Sequence, residues 1–149
     1  MENVLDSSVG YALKRAQHAL RSRMDEVLKE VKLTTPQYAV LSVLEEEPGL
    51  SGAELARRSF VTPQTMNVIL AKLEEAGQIA RRPHPEHGRV LRTYLTDEGR
   101  GLVAGAHEMV GAVEERMLAG LGREDRTRLA GTLNGFAEAL ESRKGGASG

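Results

Sequence analysis

Residues 51–77 read SGAELARRSFVTPQTMNVILAKLEEAG, and this stretch decides the fold. Ser51-Gly52-Ala53-Glu54 has the form of a capping box: the serine side chain accepts from the backbone N–H three residues on, and the glutamate bonds back. A short helix over 52–59 is predicted behind it, burying Leu55 and Ala56. Phe60-Val61 make the turn, and Thr62-Pro63 opens a second helix over 63–76. Threonine suits a helix cap and proline the first helical position. Met66, Ile69, Leu70 and Leu73 recur at helical spacing and face inward. Gly77 ends the helix where a left-handed residue is favoured. Two short helices around a tight turn, with polar residues near the start of the second, make a helix-turn-helix.

Upstream, Thr34-Thr35-Pro36 starts another helix, with Thr35 as cap and Pro36 in the first position. Tyr38, Leu41 and Leu44 form its buried side, and Pro48-Gly49 ends it. In residues 8–31, Val9, Leu13, Ala16, Leu20, Met24, Val27 and Val31 recur every three or four positions. Asp6, Ser7 or Ser8 serves as the cap. So long a helix in so small a protein suggests an intersubunit element.

Downstream of Gly77 the period changes. Gln78–Arg82 reads as a short strand, residues 83–88 as a loop of breakers, and Val90–Leu95 as a strand, with Val90, Arg92 and Tyr94 alternating against Leu91, Thr93 and Leu95. The hairpin makes a wing with Arg89 at the far side of its loop. Thr96-Asp97-Glu98 caps a further helix, running through Leu102, Val103, Ala106, Met109, Val110, Val113 and Met117 to a break at Gly120–Gly122. Residues 124–142 form a last helix through Leu129, Leu133, Phe136 and Leu140, and the tail 144–149 is expected to be disordered. The predicted fold is mainly α with a small β-hairpin wing. In a single domain over 1–149, a winged helix-turn-helix lobe at 35–96 lies between dimerisation helices at 8–31 and 97–142.

Composition agrees with a helical, soluble chain. Aromatics make up 3% with no Trp, so aliphatic side chains fill the core. Cys is absent, which excludes disulfides and thiolate metal ligands. No apolar run approaches the roughly 20 residues of a membrane helix. With no signal-peptide pattern at the N-terminus, a cytoplasmic location is expected. The net charge of −1 argues nothing for nucleic acid, but its distribution does. Residues 51–95 carry seven Arg and Lys against four acids, a local +3 beside −4 elsewhere.

On the second helix of the motif the outward residues are Gln64, Thr65, Asn67, Val68 and Ala71. Gln64 and Asn67 can make paired hydrogen bonds to adenine, Thr65 can bond a phosphate or touch a thymine methyl, and Val68 offers apolar contact. Thr62 at the helix start joins them as a candidate. Lys72, Arg82 and Arg92, with Arg57 and Arg58, reach phosphates. Arg89 can enter a narrow minor groove. Taken alone, such residues are ordinary solvated side chains; the capped helix before them and the wing after them favour the DNA reading.

Other functions find less in the sequence. No nucleophile elbow, P-loop or dinucleotide turn is present, so no enzyme activity and no cofactor are expected. His84-x-x-His87 with Glu86 has metal-ligand types, but no helical His pair or Cys partner accompanies it, and no metal is expected. A non-DNA interaction module is a further alternative, distinguished by a flat response to salt.

The ordered pieces Thr35-Pro36-Gln37-Tyr38, Leu55-Ala56, Leu73-Glu74-x-x-Gly77, the wing, and Leu95-Thr96-x-x-Gly99 resemble the MarR family of bacterial regulators over residues 35–100. The resemblance implies a triangular dimer with interlocked terminal helices. It also implies a palindromic operator, usually repressed, and release by a small aromatic or phenolic ligand. Effectors in that family lodge between the dimer helices and the DNA-binding lobe, which makes Tyr11, Arg15, His18 and Tyr38 candidate lining residues, Arg15 as partner of a carboxylate. The bland alternative is that Arg15 belongs to a surface ion pair and Tyr38 to the core. Two departures stand out. The family's wing commonly carries Asp-x-Arg, where this chain has His87-Gly88-Arg89, and many members place an arginine where Val68 stands.

Overall fold

The computed structural model describes residues 7–142. The candidate cap Asp6 and the tail from 144 onward lie outside them. Six helices and one hairpin follow in order: α1 (Val9–Leu28), a 3-10 turn (Lys29–Val31), α2 (Thr35–Glu46), α3 (Gly52–Arg58), α4 (Pro63–Glu75), β1 (Ile79–Pro83), β2 (Leu91–Leu95), α5 (Asp97–Met117) and α6 (Arg123–Glu141). The chain forms two compact units, one up to Val113 and one from Glu114. No helix among the described residues is long and apolar enough to cross a membrane.

The helix starts follow local capping chemistry. Ser8 caps α1, and Thr62 accepts from the Thr65 N–H at 3.1 Å to cap α4. Ser51 accepts from the Glu54 N–H at 3.2 Å, as the box requires, but the Glu54 carboxylate accepts from the Ser51 hydroxyl rather than from its backbone. The cap of α2 is Thr34, not Thr35 as expected: Thr34 and Gln37 form the full reciprocal box. Thr35 is the first residue of the helix, and its hydroxyl donates to Asp25 of α1. That hydrogen bond, with Arg21 next to it, holds the Asp25 carboxyl below its ordinary pKa.

The core gathers Leu28, Leu33, Val40, Leu41, Leu44, Leu55, Ala56, Met66, Ile69, Leu70, Leu73, Ile79, Leu95, Val103 and Ala106. It therefore joins the end of α1 to α2, the helix-turn-helix, the base of the wing and the first half of α5. Between α3 and α4, Val61 is half-buried while Phe60 takes a left-handed backbone, φ 58°, with its ring exposed.

The hairpin is antiparallel in the register Ile79↔Leu95, Arg81↔Thr93, Pro83↔Leu91. A feature absent from the expectation extends it. Gly49 N–H donates to Thr93 O and Thr93 N–H to Leu50 O, both at 2.9 Å, so the segment after α2 forms a bridge on the outer edge of β2. Of the alternating set Leu91, Thr93 and Leu95, Thr93 and Leu95 are buried and Leu91 is exposed.

Where the wing leaves the helix-turn-helix, three residues form a junction. Gly77 has φ 77°, the left-handed stop anticipated for it. The Thr96 hydroxyl donates to Gly77 O at 2.7 Å and accepts from the Gly99 N–H at 3.0 Å, capping α5. Gly99 lies against the Gln78 carbonyl, where an added Cβ would be 2.0 Å from the oxygen.

In the second unit, α6 carries Leu129, Leu133, Phe136 and Leu140 along one face, and all four are exposed. Arg126 fastens its start: Nε donates to Leu121 O and Nη2 to Leu118 O, each at 3.0 Å, while Nη1 pairs with Glu115.

Candidate nucleic-acid interface

The outer face of α4 is set by its inner one. Burying Met66, Ile69, Leu70 and Leu73 turns Gln64, Thr65, Asn67, Val68 and Lys72 to solvent. Val68 is 57% exposed, a large apolar surface on an otherwise polar face. Thr62 is exposed too, but its oxygen caps the helix and its hydroxyl meets that of Thr65 at 3.0 Å. Those two threonines are therefore bonded to each other.

The seven cations of residues 51–95 divide into two groups. Arg58 pairs with Glu47 and Arg81 with Glu74 (2.9 Å), so Arg58 is neutralised rather than free for phosphate. The Arg81 guanidinium holds the Glu74 carboxyl below its usual pKa. Arg57, Lys72, Arg82, Arg89 and Arg92 have no carboxylate partner among the described residues. Arg82 lies over the Tyr94 ring at 5.8 Å. Arg92, half-buried, has its Nη2 2.8 Å from Nε2 of His84.

Between α4 and the wing runs a groove of about 330 Å³, lined by Ser51, Asn67, Leu70, Arg81, Arg89 and Thr93 among others. It brings together two candidates that are 22 positions apart, Asn67 of the helix and Arg89 of the wing. Its walls offer an amide that can read a base edge and a guanidinium free of acid partners, the mixture that DNA recognition needs.

The effector candidates are not brought into one cluster in the same way. Tyr11, Arg15 and His18 are exposed on α1. Tyr38 is half-buried on α2, with its hydroxyl 2.7 Å from Nδ1 of His107, whose Nε2 lies 2.8 Å from Glu45. His107 and Glu45 carried no signal in the sequence, since 69 and 62 positions separate the bonded partners.

A helix-turn-helix whose second helix is free on its outer face, followed by a hairpin with an unpaired arginine, defines the winged-helix class of DNA-binding proteins. Comparison with known proteins narrows the class. The MarR family model matches residues 31–90. The HTH-type transcriptional repressor Rv2887 of Mycobacterium tuberculosis is 44% identical over 116 residues, 78% of this chain and 84% of that protein. Among solved structures, the transcriptional repressor CouR bound to a 23-mer DNA duplex is 33% identical with a TM-score of 0.82, covering 89% of this chain and 94% of that one. Rv2887 in complex with salicylic acid is 39% identical with a TM-score of 0.71, covering 87% and 96%. This chain belongs to the MarR family of transcriptional regulators.

Proposed function

We propose that this chain is a cytoplasmic repressor that binds a palindromic operator as a homodimer and is released by a small aromatic or phenolic effector. The groove that unites Asn67 and Arg89 carries the reading. Gln64, Thr65, Asn67 and Val68 face base edges in the major groove, Arg89 enters the flanking minor groove, and Lys72, Arg82 and Arg92 meet phosphates. Thr62 contributes by fixing the first turn of α4. The relatives support the two ligand classes: CouR was solved on a DNA duplex and Rv2887 with salicylic acid.

Selection of bound sequences from a random DNA pool tests the operator. Two half-sites in inverted repeat, about one helical turn apart, are expected. Affinity is expected to fall steeply with salt as phosphate-bound counterions are released. A flat salt response, or sequences without palindromy, would overturn the proposal.

The homodimer rests on apolar surface. Val9, Tyr11 and Leu13 on α1 are exposed, as separately are Leu129, Leu133, Phe136 and Leu140 on α6. Faces of this kind are covered in stable proteins. Phe136→Glu is therefore expected to weaken self-association by about tenfold or more, because a charge would be buried without a partner. Sedimentation at several concentrations reads it, and an unchanged dimer would remove α6 from the interface.

For the effector, Tyr11, Arg15, His18 and Tyr38 are the proposed lining. Tyr38 is the member with the best support, because its hydroxyl is held in place by His107.

A further inference from the structure

In the wing loop, His87 stands two residues before Arg89, but the ring that takes the loop's backbone N–H groups is that of His84. We propose that His84, in its neutral form, is the positioning residue that holds the wing loop in its DNA-binding shape, and that this brace releases on mild acidification. The proposal rests on the DNA-binding reading above.

The geometry is local and specific. Nδ1 of His84 accepts from the backbone N–H of Glu86 at 3.0 Å and of His87 at 3.2 Å. Acceptance from the second and third residues on is the pattern that Asn and Asp use to build tight turns. Two main-chain bonds complete the loop: His84 N–H to Val90 O at 2.7 Å and Val90 N–H to His87 O at 2.8 Å. Arg89 sits between His87 and Val90, so its position depends on these four bonds.

Charge sets the protonation state that the brace requires. On its other side the imidazole meets the Arg92 guanidinium of β2, 2.8 Å from Nε2. The His87 ring lies 4.9 Å away, centroid to centroid. Arg82 of β1 stands opposite Arg92 in the register, and the one loop acid, Glu86, presents its backbone N–H to the ring. A neutral imidazole has one acceptor nitrogen, which the two loop amides occupy. That tautomer already carries a hydrogen on Nε2, toward Arg92; imidazolium has no acceptor, adds a hydrogen on Nδ1 facing the two loop amides, and sets a full positive charge beside the guanidinium. Partial desolvation, then Arg92, then His87 push the His84 pKa below the ordinary 6.5. Because the folded value is depressed, the brace is fully present above pH 6.5 and is lost as pH falls through the lower, folded value.

The test compares the full-length protein with His84→Ala and His84→Asn. Asparagine can accept the same two amides and does not titrate. Backbone ¹⁵N relaxation of residues 86–89 in the DNA-free protein, at about pH 7.5 and about pH 4.5, the lower value set well under an ordinary histidine because the folded value is depressed, reads the brace directly. The wild-type loop is expected to be ordered at the higher pH and loosened at the lower. The Asn variant should be ordered at both, and the Ala variant loose at both. Operator affinity at the higher pH is expected to fall about fivefold in His84→Ala, as lost loop hydrogen bonds imply, and to recover in His84→Asn. A wild-type loop equally ordered at both pH values, or an Ala variant as ordered as wild type, would overturn the brace. A loosened Ala loop with unchanged DNA affinity would uphold the brace and remove the wing contact from the proposed function.

Discussion

Arg89→Ala is expected to lower affinity for operator DNA by about tenfold or more, with no change in melting temperature. The side chain is exposed and has no acid partner among the described residues, so the folded protein loses nothing with it. The complex is expected to lose the guanidinium proposed to enter the minor groove, and the salt dependence should become shallower by about one counterion. Arg58→Ala supplies the contrast, because Glu47 already neutralises Arg58 and little DNA affinity should follow it. A different signature is expected for Asn67→Ala, which should relax preference at one base pair instead of weakening all sequences alike. Fluorescence anisotropy with the selected operator, across a salt series, measures all three. Wild-type affinity in Arg89→Ala would exclude the wing from recognition.

The second large effect concerns stability. Gly99→Ala is expected to destabilise the fold by about 3 kcal/mol, at the upper end for an overpacked site. The new methyl would come 2.0 Å from the Gln78 carbonyl oxygen, which is main chain and cannot rotate away. That same oxygen accepts the Thr96 N–H at 3.1 Å, so relieving the clash breaks the junction between the wing base and α5. Gly101 and Gly105, in the same helix, have open space around the position of a Cβ. Alanine there should be neutral or stabilising by about 0.5–1 kcal/mol through helix propensity. Thermal denaturation of the three variants gives the comparison, and a Gly99→Ala protein that melts with wild type would refute the close-approach argument.

Sequence-legible features were those whose cause lies within a few residues. Ser51 and Thr62 cap their helices because each needs only a donor three positions on, and Gly77 stops α4 because glycine tolerates its positive φ. Even here adjacency misled. Thr34 and Thr35 are equally good caps by composition; Gln37 completes the box for Thr34, and Asp25, ten residues upstream, claims the hydroxyl of Thr35. The outer face of α4 was readable because Met66, Ile69, Leu70 and Leu73 define its opposite. What stayed hidden were pairings across the chain: Tyr38 with His107, Leu50 with Thr93, Gly99 with Gln78. The cations show the same limit. Their number and clustering were plain, but which of them an acid had claimed depended on Glu47 and Glu74. The contacts of His84 also depend on where its ring points, which no spacing rule encodes.

The Leu50–Thr93 bridge bears on how such a protein changes its target over time. Main-chain bonds, indifferent to side-chain identity, tie the wing to the segment just ahead of α3. The wing strand β2 is thereby held by a frame that substitutions at positions 64, 65, 67 and 68 do not touch. On the proposed reading, those four exposed positions can drift, and operator preference with them, while the placement of the wing is inherited unaltered.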